Sequence, residues 1–69
     1  MLQDIRKKLG RNIRKIRLEK GMTQGDICRA TGMDRSYVSG LEAGKRNPTL
    51  INIFKIAESL NISSSELLK

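Results

Sequence analysis

The chain has 69 residues, 38% of them hydrophobic, and carries a formal net charge of +7. This length predicts a single domain over residues 1–69 with a marginal hydrophobic core, for which self-association is a reasonable expectation. The single cysteine excludes an internal disulfide. The sequence also has no histidine, no phosphate-binding loop and no apolar run near the roughly 20 residues of a membrane span. It also argues against a metal site, a cofactor, an enzyme and a membrane anchor, and a reduced thiol at Cys28 is what a cytoplasmic protein would carry.

The first predicted helix covers residues 2–20 and is strongly basic. Eight Lys or Arg against two acidic residues give this segment a charge of +6, and such an uneven basic field attracts polyanions. Gly10 is expected to weaken the helix by about 1 kcal/mol relative to Ala, and Gly21 to end it. The apolar residues follow amphipathic spacing, with Arg17 at the edge of the buried face: Leu2, Ile5, Leu9, Ile13 and Ile16.

A second helix is predicted from Gln24 to about Thr31. Thr23 is a favourable N-cap, and Gly32 is expected to end the helix because glycine adopts the left-handed conformation at little cost. The side chains expected in the core or against it are Met22, Ile27, Cys28, Ala30 and Met33.

The third helix is predicted from Arg35 to Ala43, between a cap at Asp34 and a stop at Gly44. Val38 and Leu41 are its core contacts. Its outer face then carries Arg35, Ser36, Ser39 and Gly40. Two short helices joined by a glycine turn, in a small basic chain, outline a helix-turn-helix DNA-binding unit.

The remaining third of the chain is electrically neutral and predicts two more helices. Thr49 is expected to cap a helix over Leu50–Leu60, which ends at Asn61, and Ser63 with Glu66 has the spacing of a capping box for a short last helix. The apolar face of the fourth helix is formed by Leu50, Ile53, Phe54, Ile56, Ala57 and Leu60. No segment alternates with a period of two, so the expected fold is all-α, with five helices and no sheet.

These features resemble the Cro and phage-repressor helix-turn-helix proteins, also called the XRE family. The resemblance is carried by Arg17, Thr23-Gln24, Gly32, Leu41-Glu42, Gly44, Ile56-Ala57 and Leu67-Leu68. Within that family the chain is most similar to the controller proteins of restriction–modification systems, through the run Arg35-Ser36-Tyr37-Val38-Ser39 followed by Glu42, Gly44, Lys45-Arg46-Asn47 and Leu50. An antitoxin or a prophage-type repressor, with a protein partner of its own, is the alternative.

The resemblance implies a compact lambda-repressor-like fold and a homodimer on double-stranded DNA. The dimer would occupy a pseudo-palindromic operator and control restriction–modification genes, its own included, as an activator or a repressor. No small-molecule effector is expected. The candidate dimer interface combines the last helix with the outer part of the fourth: Ile51, Phe54, Ile62, Leu67 and Leu68.

Arg35 is the principal candidate for base reading. It stands in the first turn of the helix that enters the major groove in this type of unit, where an arginine can donate two hydrogen bonds to guanine. Ser36 and Ser39 are expected to contact DNA beside it. The candidates for contact with the DNA backbone are Gln24, Tyr37, Lys45, Arg46 and Asn47. A half-buried packing role is an equal alternative for Tyr37.

Four further residues have expectations that rest on the resemblance. It implies that Arg17 and Glu42 form an ion pair between the first and third helices. The chain departs from the family pattern at two glycines. Gly25 replaces a long polar residue, and Gly40 stands where several relatives carry a base-reading side chain.

Overall fold

The computed structural model describes the backbone of residues 2–69 and the side chains from Ile5 onward. The five helices are α1 (Leu2–Glu19), α2 (Gln24–Thr31), α3 (Arg35–Glu42), α4 (Leu50–Ser59) and α5 (Ser64–Leu67). The described part of the chain contains no strand, so the all-α, five-helix prediction is confirmed. Helices α1, α3 and α4 each end one residue earlier than predicted. The expectation for the Leu2 side chain lies outside the described residues.

Left-handed residues end four of the helices, as their sequence positions predict. Gly32 (φ 78°) ends α2, and its own N–H donates to the Cys28 carbonyl at 2.8 Å. The other three share a different arrangement. Gly21 (φ 68°), Gly44 (φ 76°) and Asn61 (φ 57°) follow α1, α3 and α4. In each case the N–H of the next residue donates to the carbonyl five residues before it, at 2.9 to 3.0 Å. This is the Schellman arrangement, which satisfies carbonyls that the helix leaves without a partner.

The helix N-termini differ from one another in how they are capped. The Thr23 and Thr49 hydroxyls accept from backbone N–H groups at 3.0 and 3.1 Å. Asp34 occupies the N-cap position of α3 without a capping hydrogen bond from its side chain. The capping box predicted at Ser63 is wrong, because this side chain contacts the hydroxyl of Ser65 at 2.8 Å instead.

The core is one cluster to which every helix contributes. Its fully or nearly fully buried apolar members are Leu9, Ile13, Ile27, Val38, Leu41, Ile56, Ala57, Leu60 and Leu67. Cys28 is only half-buried at its edge. Three residues expected inside are exposed: Ile5, Ala30 and Leu50. Each lies in the first or the last turn of its helix, where the apolar stripe runs past the neighbouring elements.

Helix α1 and the end of α3 approach so closely that only glycine fits between them. Gly10 is buried, and a Cβ atom there would lie 2.4 Å from the backbone oxygen of Leu41 and 2.6 Å from that of Glu42. The expectation that Gly10 merely weakens α1 is therefore corrected, since its missing side chain permits the contact between α1 and α3. Among the described helices, none has the length and apolar character needed to span a membrane.

Candidate nucleic-acid interface

Helix α3 presents the three predicted base-reading side chains on one exposed face. Val38 and Leu41 are 0% and 1% exposed and hold the opposite face against the core. Arg35, Ser36 and Ser39 are all exposed. Ser39 lies four residues after Arg35 and three after Ser36, so it shares a side of the helix with each of them.

A buried ion pair fixes α3 against α1. Arg17 donates through Nε to Glu42 Oε2 at 2.7 Å and through Nη2 to Oε1 at 3.0 Å, which is the bidentate arrangement of a guanidinium and a carboxylate. The two side chains are 9% and 4% exposed. Arg17 Nη1 also donates to the Met22 carbonyl at 2.9 Å. The pair implied by the family resemblance is thus present, and its hydrogen bond to Glu42 raises the pKa of Arg17 above the ordinary arginine value.

Helix α2 reaches the same carboxylate. Gln24 Nε2 donates to Glu42 Oε1 at 3.1 Å. The sequence assigned Gln24 to DNA phosphate and gave no sign of this internal partner. Because Gln24 stands in the first turn of α2, its backbone N–H stays at the positive end of the helix dipole, where anions are favoured.

The start of α2 carries a complete capping box that the sequence analysis missed. Thr23 N–H donates to Asp26 Oδ2 at 2.8 Å, and Asp26 N–H donates to the Thr23 hydroxyl at 3.0 Å. Arg29 donates to the other carboxylate oxygen. The Thr23 N–H hydrogen bond, followed by that from Arg29, lowers the pKa of Asp26. The usual signature has Glu or Gln at this third position, which is why Thr23-x-x-Asp26 went unrecognised.

The loop after α3 lies beside Tyr37. Lys45, Arg46 and Asn47 are exposed, and Tyr37 is half-buried. The Arg46 guanidinium lies over the Tyr37 ring, 5.7 Å from the ring centre. Asn52 Nδ2 donates to the Tyr37 hydroxyl at 2.9 Å, so this oxygen still has a proton to donate outward. No pattern in the sequence pointed to Asn52.

The expected dimer surface is apolar and open on the single chain. Ile51, Phe54 and Leu68 are 66%, 52% and 53% exposed, and Ile62 is half-buried. Ile51, Phe54 and Ile62 line one shallow groove between α4 and the start of α5. Leu67 must be removed from this set, because it is 0% exposed and belongs to the core.

Two short helices around a left-handed glycine turn, with a polar helix face exposed and the opposite face buried, define a helix-turn-helix domain. The family model described as "Helix-turn-helix" matches residues 13–67. Control protein C.MunI from Mycoplasma sp is 39% identical, with 96% of this chain and 90% of that protein covered.

Two solved structures extend the comparison. The restriction–modification controller protein C.AhdI from Aeromonas hydrophila is 44% identical with a TM-score of 0.85, covering 88% of this chain and 92% of that one. The controller protein C.Esp1396I, crystallised as a tetramer with its natural 35 base-pair operator, is 38% identical with a TM-score of 0.81, covering 94% and 96% of the two chains. The chain therefore belongs to the helix-turn-helix family of transcriptional regulators and, within it, to the restriction–modification controller type.

Proposed function

We propose that the protein is a homodimeric, cytoplasmic regulator that binds a pseudo-palindromic operator and controls restriction–modification genes, its own included. The observation that carries this proposal is the anchoring of α3. A short helix is fixed by the buried pair of Arg17 and Glu42 while an arginine and two serines project from its free face. The similarity to C.Esp1396I, which was crystallised on its operator, supports the same function.

Base reading is assigned to Arg35, Ser36 and Ser39. An arginine in the first turn of a recognition helix can pair with guanine O6 and N7 in the major groove, which is worth about 1–3 kcal/mol of discrimination. The serine hydroxyls are short and can both donate and accept, so they suit a base edge or a nearby phosphate.

Backbone contact is assigned to Gln24, Tyr37, Lys45, Arg46 and Asn47. The loop residues among these are exposed and next to the recognition helix, and the first N–H groups of α2 add a further anion-binding element. Such contacts hold the protein in register on the duplex without reading its sequence.

Dimerisation is assigned to the groove of α4 and α5, through Ile51, Phe54 and Ile62, together with the exposed Leu68. A small basic chain that exposes adjacent large apolar side chains gains stability by covering them with a second copy. A twofold axis there would place two copies of α3 about 34–36 Å apart, one turn of DNA, and so would require a two-part operator.

The division between base and backbone contacts is tested by comparing Arg35→Ala with Arg46→Ala on operator and random duplexes. R35A should lose about 1–3 kcal/mol of discrimination at one base pair in each half-site. R46A should weaken both duplexes to a similar extent and reduce the slope of log K against log salt by about one per chain. Arg14→Ala, which removes one exposed charge from α1 outside the motif, is the control. Equal losses on both duplexes for R35A and R46A would overturn the assignment.

The interface is tested by the mass of the protein in solution. Phe54→Glu places a charge in the apolar groove and should convert the dimer to a monomer in sedimentation equilibrium. Leu18→Glu is the matched control, because Leu18 is 54% exposed on α1 and lies outside the proposed interface. A wild-type monomer at high concentration, or an F54E dimer as tight as the wild type, would refute the proposed interface.

A further inference from the structure

The side chain of Arg46 occupies the space that a larger residue at position 40 would fill. A Cβ atom on Gly40 would lie 2.9 Å from Arg46 Cγ, 3.1 Å from Nε and 3.5 Å from Cδ. Ordinary van der Waals contacts begin near 3.4 Å, so the stem of Arg46 lies directly against the backbone of α3. The Arg46 side chain from the loop therefore packs against the backbone of Gly40, in the space that a side chain at position 40 would occupy.

A second contact holds the far end of the same side chain. Tyr37 is one turn before Gly40 on α3, so the two positions share an edge of the helix. The Arg46 guanidinium lies over the Tyr37 ring, within the range of a cation–π contact. The ring is itself fixed by the hydrogen bond from Asn52 to its hydroxyl. The Arg46 side chain thus contacts α3 at two points, Gly40 along its stem and Tyr37 at its end, in the chain without DNA.

We propose that Gly40 is a positioning residue, which prepares Arg46 to contact the DNA backbone by leaving room for its stem against α3. The proposal rests on the function proposed above. A flexible arginine normally loses rotamer freedom when it binds, and a side chain ordered in advance has already met that cost. The absence of a side chain at position 40 thereby increases the affinity for DNA, even though it also leaves this position without a base-reading group.

The test is a double-mutant cycle between Gly40→Ala and Arg46→Ala, measured on the operator duplex. G40A should reduce affinity about two- to tenfold per chain, the range for ordering one rotamer-rich side chain. Its salt slope should stay near the wild-type value because the charge is still present, whereas R46A should lower the slope by about one per chain. In the R46A background, G40A should change the affinity by less than about 1.5-fold, since no side chain remains to be positioned.

Two further variants separate positioning from a general effect of glycine removal. Gly25→Ala makes the same exchange in α2, where a Cβ atom would meet only ordinary contacts at 3.4 and 3.5 Å, and it should bind like the wild type. Arg46→Lys keeps the charge without the planar group, so adding G40A to it should cost less than in the wild type. G40A should also melt no lower than the wild type, because alanine favours the helix; a reduced affinity then cannot come from unfolding.

The free protein offers a readout that does not depend on DNA. The side-chain γ protons of Arg46 should show nuclear Overhauser contacts to the α protons of Gly40, and its δ protons to the Tyr37 ring. G40A should abolish the contacts to the ring. Their absence in the wild type, or wild-type operator affinity in G40A, would overturn the positioning role alone. If the wild-type chain binds no duplex, the proposed function itself fails and the positioning role fails with it.

Discussion

Replacing Gly10 by alanine should destabilise the protein, although alanine is the better helix former. By helix propensity alone, the change should add about 1 kcal/mol of stability. In the structure, however, the added methyl group would lie 2.4 Å from one backbone oxygen of α3 and 2.6 Å from the next. A carbon–oxygen contact needs about 3.3 Å, so the two helices must separate by roughly 1 Å.

The cost of this separation can be set against the gain in propensity. Overpacking a tight contact typically costs about 1–3 kcal/mol. The upper end applies here, because the atoms met are backbone atoms that cannot rotate away, and because the Arg17–Glu42 hydrogen bonds span the same pair of helices. The net loss is therefore about 2 kcal/mol. For a domain of this size, that corresponds to a fall in melting temperature of roughly 8–16 °C.

Far-UV circular dichroism measures both values: thermal melts give the change in melting temperature, and urea melts give the change in the free energy of unfolding. All proteins must be compared at one concentration, because association of the folded chain raises the apparent stability. Gly25→Ala is the internal control, and it should melt at or slightly above the wild-type temperature since nothing obstructs its methyl group. A G10A protein that melts at or above the wild-type temperature would show that the closeness of α1 and α3 does not explain this glycine.

Three other changes test the contacts that support the fold. Glu42→Ala should cost about 3–5 kcal/mol in urea unfolding, because it strands the buried guanidinium of Arg17, and replacing both residues by Met should recover much of that loss. The lowered pKa of Asp26 stabilises the fold above its unfolded-state pKa of about 3.9, and this contribution disappears as the pH falls through the lower folded-state value. The Asp26→Asn variant should therefore lose less melting temperature below about pH 4 than the wild type does, and parallel pH curves would contradict this. Asn12→Ala removes the 2.8 Å hydrogen bond to the Leu67 carbonyl that ties α1 to α5, and it should cost about 1 kcal/mol in the same assay; an unchanged midpoint would show that α5 is held by apolar packing alone.

Features set by the local chain were predictable. Helix ends depend on residues within a turn of the boundary, and Gly21, Gly44 and Asn61 each end a helix where the sequence places them. The apolar spacing likewise identified Ile13, Val38 and Leu41 as core residues. In these cases the conformation follows from the residue and its immediate neighbours.

Features set by a distant neighbour were not predictable in the same way. A glycine inside a helix lowers its propensity wherever it occurs, and nothing beside Gly10 or Gly40 in the sequence says which group approaches the vacant position. The backbone of α3 approaches the first, and the side chain of Arg46 approaches the second. Leu67 and Leu68 pose the same problem, because adjacent leucines in a short helix give no sign of which one is buried until α1 and α4 are in place.

One carboxylate joins the end of α3 to both neighbouring helices, in addition to the packing of Val38 and Leu41 in the core. Glu42 is the last residue of α3, and it accepts hydrogen bonds from Arg17 of α1 and Gln24 of α2. The end of α3 is therefore attached to both of its neighbours through one side chain, while Arg35 in its first turn is exposed. Because Glu42 and Arg35 are about two turns apart, a small tilt of α3 at Glu42 would displace Arg35, the proposed base-reading residue. Substitution at Glu42 should consequently weaken operator discrimination even under conditions in which the variant remains folded.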